Sequence, residues 1–511
     1  MGRVTRQWGL TVVKKLAFTV YRLRLRLHRR FRWLPHPDDR RSDIRSWGID
    51  ELAENAATGL PGGAAFGVTC VWTVEYFTPS NVAKLHQAVE RLGLTPFDDS
   101  EVYRDPRDWL KAARSSSSHG SGWHHLGSIK RKRGIFAGGM AAVGPVPKQF
   151  DYIEAYVHHI SPSLSACVLM FALREPFINK ISAELARFRF SKFVSYGHSF
   201  SRLGPKEIKK NAISQYRLSL RLAAHDWCSE HLPGFFSSFK HDDRPVVEFD
   251  FHKSFSRILH SDVPEVVGLD GWSLKWQMES RYDIQLVMPR FGKIEKMPHA
   301  LLVGSYENIE RVADERYSNM ALRAAVDINH DVRKFVAQWG VLSLLASMRQ
   351  RISILRDNEL GVSDRDPWTA IRQLKEMTAQ SAEIETVCAD IVSMGEKRPI
   401  PGYPVFVGLQ DMRKEAKENF LTWVNIQASS QAKSILRLEH SVRKLAQQKG
   451  TLIVAEQNLR LQLIVGLLTA VATAVAAVSA LSSASNLEEG AKGLLEAFIA
   501  AARSVSDRIP Q

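Results

Sequence analysis

The stretch with the most chemical content is Glu248-Phe249-Asp250-Phe251-His252. Successive side chains of an extended strand point to opposite faces. Glu248, Asp250 and His252 therefore share one face, and Val247, Phe249 and Phe251 share the other. Two carboxylates and an imidazole side by side are groups that bind a divalent metal or pass a proton. The same alternation equally describes the solvated face of a half-buried strand, which needs no chemistry at all. A second cluster, His225-Asp226-Trp227-Cys228-Ser229-Glu230-His231, sets Cys228 and His231 one helical turn apart. Zinc would require two further ligands, and none stands at a recognised spacing. His124-His125 and His158-His159 are isolated pairs, read as loop and strand-surface histidines. Gly138, Gly139 and Gly144 meet neither the phosphate-loop nor the dinucleotide spacing, and there is no GxSxG or HExxH. No motif specifies a cofactor, so enzyme and non-enzyme readings stand side by side.

The candidate strand sits in a mixed region, spanning about 60–312, whose pattern predicts an α+β domain. Phe66, Val68, Cys70, Trp72, Val74 and Tyr76 alternate along a strand with one buried face. Tyr152 to His159 and Leu164 to Leu173 flank Ser161-Pro162-Ser163 as a hairpin. Trp272 to Met278 and Asp283 to Met288 form another, and a helix covers Lys206 to His231. Ser115 to Gly134, rich in Ser, Gly and His, is expected to be a basic loop. Strands arrive in pairs with helices between them, which favours α+β over a doubly wound parallel sheet.

From 319 to 460 the chain changes to long helices, Met320 to Arg356 and Trp368 to Met394, broken by Pro399, Pro401 and Pro404. A single helix is then expected from Gln410 to Leu481. With Leu421 as a, the a positions are Leu421, Ala428, Ile435, Val442, Lys449 and Glu456. The d positions are Val424, Gln431, Leu438, Leu445, Leu452 and Leu459. This heptad fits a coiled-coil-like stalk, a parallel dimer, or packing on the two preceding helices of the same chain.

Residues 461–481, LQLIVGLLTAVATAVAAVSAL, carry no charge and reach roughly 31 Å as a helix, enough to cross a hydrocarbon core. Gln462, Thr469, Thr473 and Ser479 interrupt the run. Gly466, Ala470 and Ala474 recur every fourth residue, a small-residue row that lets helices approach closely in lipid. Arg443, Lys444, Lys449 and Arg460 precede the span, and Glu488 and Glu489 follow it. The positive-inside rule therefore places the large N-terminal part in the cytoplasm and the short tail, 482–511, outside.

The chain has 511 residues and a net charge of +15, and ten Lys or Arg with no acid fall within residues 1–37. Within the 1–45 segment, Trp8, Val12, Leu16, Val20, Leu23, Leu27 and Phe31 mark one helical face. Arg22, Arg24, Arg26, Arg29 and Arg30 crowd the rest, as in an interfacial helix on an anionic leaflet. Such an apolar stripe exceeds what phosphate binding requires, which argues against a nucleic-acid partner. Cys70, Cys167, Cys228 and Cys388 lie far apart and read as core thiols.

In layout the chain is similar to the CorA-type metal-ion transporters, with a cytosolic α/β part, long helices and a C-terminal membrane segment. That family carries two closing spans joined by a Gly-Met-Asn loop, where this chain has Ser482-Ser483-Ala484-Ser485-Asn486. The expectation is an α+β head, a long-helix stalk and one transmembrane helix, together a membrane-anchored, self-associating sensor or effector. The lipid bilayer and a second copy of the chain are its expected partners. The alternative is a membrane-tethered, metal-dependent enzyme using Glu248, Asp250 and His252.

Overall fold

Ala65–Phe77 is buried on both faces from Phe66 onward, which sets the whole architecture. The pattern predicts one buried face; the second is covered because helices lie on both sides of the sheet. The computed structural model describes residues 51–94, 123–132, 135–136, 139–196, 199–238, 244–254, 261–269, 274–278, 280–288, 299–312, 319–361, 367–397, 406–408 and 419–483, with a few isolated positions beyond them.

The strands are β1 Ala65–Phe77, β2 Trp123–Lys130, β3 Ile135–Phe136, β4 Gly139–Met140, β5 Ala142–Val143, β6 Phe150–Ser161 and β7 Leu164–Leu173. They continue as β8 Lys192–Tyr196, β9 Ser199–Leu203, β10 Val246–Lys253, β11 Leu274–Met278, β12 Gln285–Met288, β13 His299–Ser305 and β14 Phe406–Gly408. The four long helices are α1 Pro205–His231, α2 Met320–Gly361, α3 Pro367–Lys397 and α4 Phe420–Ser483.

Ten strands form one mixed sheet in the order β14-β11-β12-β13-β10-β1-β7-β6-β2-β5. Its pairs are antiparallel except β10 with β13 and β2 with β5. Both expected hairpins form, β6 with β7 and β11 with β12. Several strands were not anticipated, β13 and the β8–β9 hairpin among them, and two of them bear on the sheet's extent. β2 lies inside the stretch expected to be a basic loop, because pairing with β6 overrides a local composition poor in strand formers. β14 follows the proline break and returns the chain to the edge of the sheet beside β11.

α2 lies across one face. Trp72 Nε1 donates to Asn329 Oδ1 at 2.9 Å, and the Tyr76 hydroxyl donates to the Ala337 carbonyl at 2.6 Å. The approach is so close that a Cβ at Gly340 would stand 2.5 Å from the Tyr76 hydroxyl oxygen. α1 and the short helix Phe235–Ser238 cover the opposite face. At the sheet edge Phe335 of α2, Phe406 of β14 and Phe420 of α4 cluster, with ring centroids 5.0 and 6.1 Å from Phe335. Sheet and long helices thus share one apolar core.

α3 is tied to the head by two carboxylates on one helix side. Glu383 accepts from the Thr78 and Ser80 hydroxyls. Asp390 accepts from Ser163 Oγ at 2.5 Å and from its backbone N–H at 3.2 Å. α4 then packs on α2 and α3 through Leu421, Val424, Ala428, Ala432, Ile435 and Val442. Ser381 Oγ donates to Glu439 Oε1 at 2.6 Å, and Arg443 pairs with Glu385 and Glu439. The heptad a positions Leu421, Ala428, Ile435 and Val442 are therefore occupied within the chain itself. The later d positions Leu445, Leu452 and Leu459 are exposed.

Candidate functional site

β10 lies between β1 and β13, and with helices on both sides of the sheet it is buried on both faces from Val246 to His252. Glu248 and Asp250 are fully buried and His252 nearly so, which overturns the solvated-face alternative. What they face is α1. Its inward side carries Ile213, Arg217, Leu220, Arg221, Ala224 and Cys228, an apolar helical stripe with two arginines set into it.

Arg217 makes the central ties. Its Nη1 donates to Glu248 Oε2 at 2.5 Å and to Asp250 Oδ1 at 3.1 Å. Its Nη2 donates to Asp250 Oδ2 at 2.6 Å and to the Val267 carbonyl at 3.3 Å. Arg221 Nε stands 3.7 Å from Glu248 Oε1, and His299 Nε2 on β13 approaches the same oxygen at 3.2 Å. Burial raises both carboxyls. At Asp250 it prevails, and the acid sits above its ordinary pKa. At Glu248 the neighbouring His299, Arg217 and Arg221 outweigh burial and hold the group below the usual range. His252 stands apart from this cluster; burial depresses it to about 4 against the opposing charges of Glu307 and Asp283.

A guanidinium bridging two carboxylates is a strong, directional tie. Removing one partner from a buried pair leaves a charge without solvent. The three residues singled out from the sequence thus share a face but not a common centre. Glu248 and Asp250 belong to an ion network with Arg217, Arg221 and His299, and His252 lies beyond it. Among the described residues no group of three or more His, Cys, Asp or Glu is placed to hold a metal ion. The partners missed from the sequence are Arg217, Arg221 and His299. The available signal was the pair of arginines on the apolar stripe of α1.

Two further buried networks follow the same pattern. Glu75 of β1 pairs with Arg244 and accepts from the Phe236 N–H at 2.7 Å and from Ser237 Oγ at 2.8 Å. On the α2 face, Asn329 Nδ2 donates to Glu154 Oε2 at 3.0 Å, and the Tyr156 hydroxyl donates to that oxygen at 2.8 Å. The histidine pairs lie on strands: His158 and His159 are buried, and His124 and His125 are half-buried on β2 rather than in a loop. His125 stacks on Tyr156, and His159 Nδ1 lies 2.8 Å from Ser165 Oγ, with burial lowering its pKa to about 3. Cys228 is buried beside the same helix face, and all four cysteines are free.

The other candidate surface lies at the far end of α4. Among the residues of α4 whose burial is described, Ile453 is the last buried one, and beyond it apolar side chains such as Leu459, Leu463 and Val465 stand in the open. One helix among the described residues is long and apolar enough to cross a membrane, and the apolar window that qualifies it is 0% buried. Gly466 and Ala470 are exposed and Ala474 half-buried along it. Thr469 Oγ1 donates to the Val465 carbonyl at 2.7 Å and Thr473 Oγ1 to the Thr469 carbonyl at 2.8 Å. Of the N-terminal arginines, Arg26 and Arg30 are helical and exposed, and Arg26 lies over the Phe190 ring at 5.3 Å. Arg22, Arg24 and Arg29 fall outside the described residues. No protein-family model matches the chain, and no curated protein is detectably similar to it.

Proposed function

We propose that this chain is a membrane-anchored protein in which α4 crosses the bilayer and a rigid helical bundle carries the sheet-bearing head beside it. The observation that supports this best is the change of environment along one unbroken helix. Up to Ile453 α4 is a packed bundle helix, and after Arg460 an uncharged apolar rod is left unburied by the described residues. A core helix of a water-soluble protein would bury that stretch. On this reading the basic flank before Leu461 holds the head on the cytoplasmic side. The exposed arginines of the N-terminal helix meet the same anionic leaflet. The Gly466, Ala470 and Ala474 row serves self-association of the spans.

Glu248 and Asp250 are sealed in the head, with three of their four oxygens engaged by Arg217 and the fourth, Glu248 Oε1, facing His299 and Arg221. A sensor or effector role, with the head binding a partner and the bundle relaying its state to the bilayer, therefore fits better than a metal-dependent enzyme. Alkaline extraction of membranes expressing the full-length chain tests the anchor. Retention in the pellet is expected, with the 461–483 deletion released, and release of the full-length chain would sink the reading. Disulfide cross-linking of Ala470→Cys in membranes tests association. A covalent dimer is expected, lost on adding Gly466→Leu.

A further inference from the structure

β6 pairs with β2 and β7 in a register that gathers histidines at one end of the sheet. His159 stands opposite Ser165, and His124 stands opposite Val157. The two-residue period of a strand therefore puts His159, Ser165 and His124 on one face. His159 Nδ1 lies 2.8 Å from Ser165 Oγ, and the His124 and His159 ring centroids are 6.1 Å apart. His158 is the adjoining residue of β6, and both it and His159 are buried. His86, half-buried on the helix Val82–Arg91, also acts on His159. So does Arg114, whose Nε donates to the Pro162 carbonyl at 2.6 Å. Among the described residues no three such side chains are placed to share a metal ion.

These surroundings favour an uncharged His159. Its Nε2 is buried with no hydrogen-bond partner among the described residues. Burial and the like charges of His124, His158, Arg114 and His86 all lower its pKa. From β7 come Ser165 and, farther along the same face, Cys167, a thiol that burial pushes up and keeps neutral. Glu75 of β1, opposite Cys167, is engaged by Arg244. Asp390 of α3 is held by Ser163 Oγ at 2.5 Å and acts on Arg114. Both carboxylates are thus committed elsewhere. A second proton would put two N–H donors on a ring offered one hydroxyl, among three imidazoles and a guanidinium. β2 has only the two-residue β5 beyond it, so it can open without breaking the middle of the sheet. The turn that closes the β6–β7 hairpin follows His159 directly and carries the Asp390 contact.

We propose that His86, His124, His158 and His159 form an acid-sensitive latch, whose protonation opens the β2–β6 end of the sheet and loosens the Ser163–Asp390 tie to α3. The latch rests on the sensor reading and names its stimulus, a fall in pH, with α3 carrying the change toward α4. Hydrogen exchange of the full-length chain in detergent, between pH 7 and pH 5 and divided by the intrinsic rate at each pH, tests it. The opening ratio of β2 and β6 amides should rise about twentyfold if His159 alone gains its proton on opening. Amides of β1 and β10 should change several-fold less. His159→Asn, which keeps a partner for Ser165, should remove most of that rise, and His124→Gln, at a half-buried position, should reduce it. His252→Gln, buried on β10 outside the latch, should leave it intact. A flat β2 response, an equal rise in β1 and β10, or a rise that persists in both His159→Asn and His124→Gln overturns the latch. Spin labels at Leu222→Cys on α1 and Ala389→Cys on α3 should give a distance distribution that broadens at pH 5. A β2 rise with an unchanged distribution overturns the coupling to α3 and the sensor reading with it, whereas a flat β2 response removes only the stimulus.

Discussion

The two halves of α4 share one backbone and obey opposite rules. From Phe420 to Ile453 one apolar stripe of the helix, Leu421, Val424, Ala428, Ala432, Ile435, Val442 and Ile453, is buried, although Trp423, Ile426, Leu445 and Leu452 stand outside it. Beyond Ile453 it displays leucine, isoleucine and valine on every side and carries no charge after Arg460 within the helix. Helical propensity does not distinguish the halves; surroundings do. The buried carboxylates Glu75, Glu248 and Asp250 are answered by arginines, and an exposed leucine at the far end is answered by nothing among the described residues. On the proposed membrane anchor, two solvents, water and hydrocarbon, would shape a single element.

The sharpest way to break the comparison is to disturb the head where charge is buried. Arg217→Ala should strand Glu248 and Asp250 together and cost about 3–5 kcal/mol, read as a lowered thermal midpoint of the detergent-solubilised chain. A change under about 1 kcal/mol would mean the network is wetter than its burial implies. Next come matched truncations in the two halves. Leu421→Ala removes buried contacts and should cost about 2–5 kcal/mol, whereas Leu463→Ala, exposed on the same helix, should stay within about 0.5 kcal/mol in detergent. Equal losses at both sites would erase the distinction.

Acid should also act through the head. His252 and His159 have pKa values lowered by burial to about 4 and about 3, so the unfolded chain binds their protons first. Their stabilising contribution is complete above the ordinary histidine range of about 6.5 and is lost as pH falls toward 4. Asp250, raised by burial, works the other way, because the folded state takes up its proton at higher pH than the unfolded state. Substituting both histidines with Gln should flatten the loss of thermal midpoint between pH 6.5 and pH 4, and an unchanged slope would exclude them as its source. The smallest effect is expected at Ser381→Ala, about 1 kcal/mol from a hydrogen bond to Glu439 within the bundle.

Much of the architecture was legible because burial writes a period into the chain. The alternation of β1, the apolar run of β7 and the heptads of α4 all led to real elements. What stayed hidden was the identity of the facing surface. Glu248, Asp250 and His252 alternate with Phe249 and Phe251 whether the polar face meets water or an arginine, and Arg217 stands more than thirty residues away on another element. β14 has three residues and follows a proline break, so no local pattern marks it. In α4 the seam was legible but its occupant was not, since a heptad buries equally well against its own chain or a second copy. The histidines of β2 and β6 were misjudged because strand pairing, a long-range event, decides their burial.

Thr469 and Thr473 look like flaws in the apolar stretch when residues are ranked by type. Each hydroxyl, however, returns its hydrogen to a carbonyl one turn back, at Val465 and Thr469. The donor is thereby spent inside the rod, and what lipid would touch is mainly the methyl group. Transfer scales that charge a threonine for a free hydroxyl therefore overstate the cost of moving this helix out of water. Its insertion should be more favourable than its letters suggest, leaving Gln462 as the costlier polar side chain near the head end of the run.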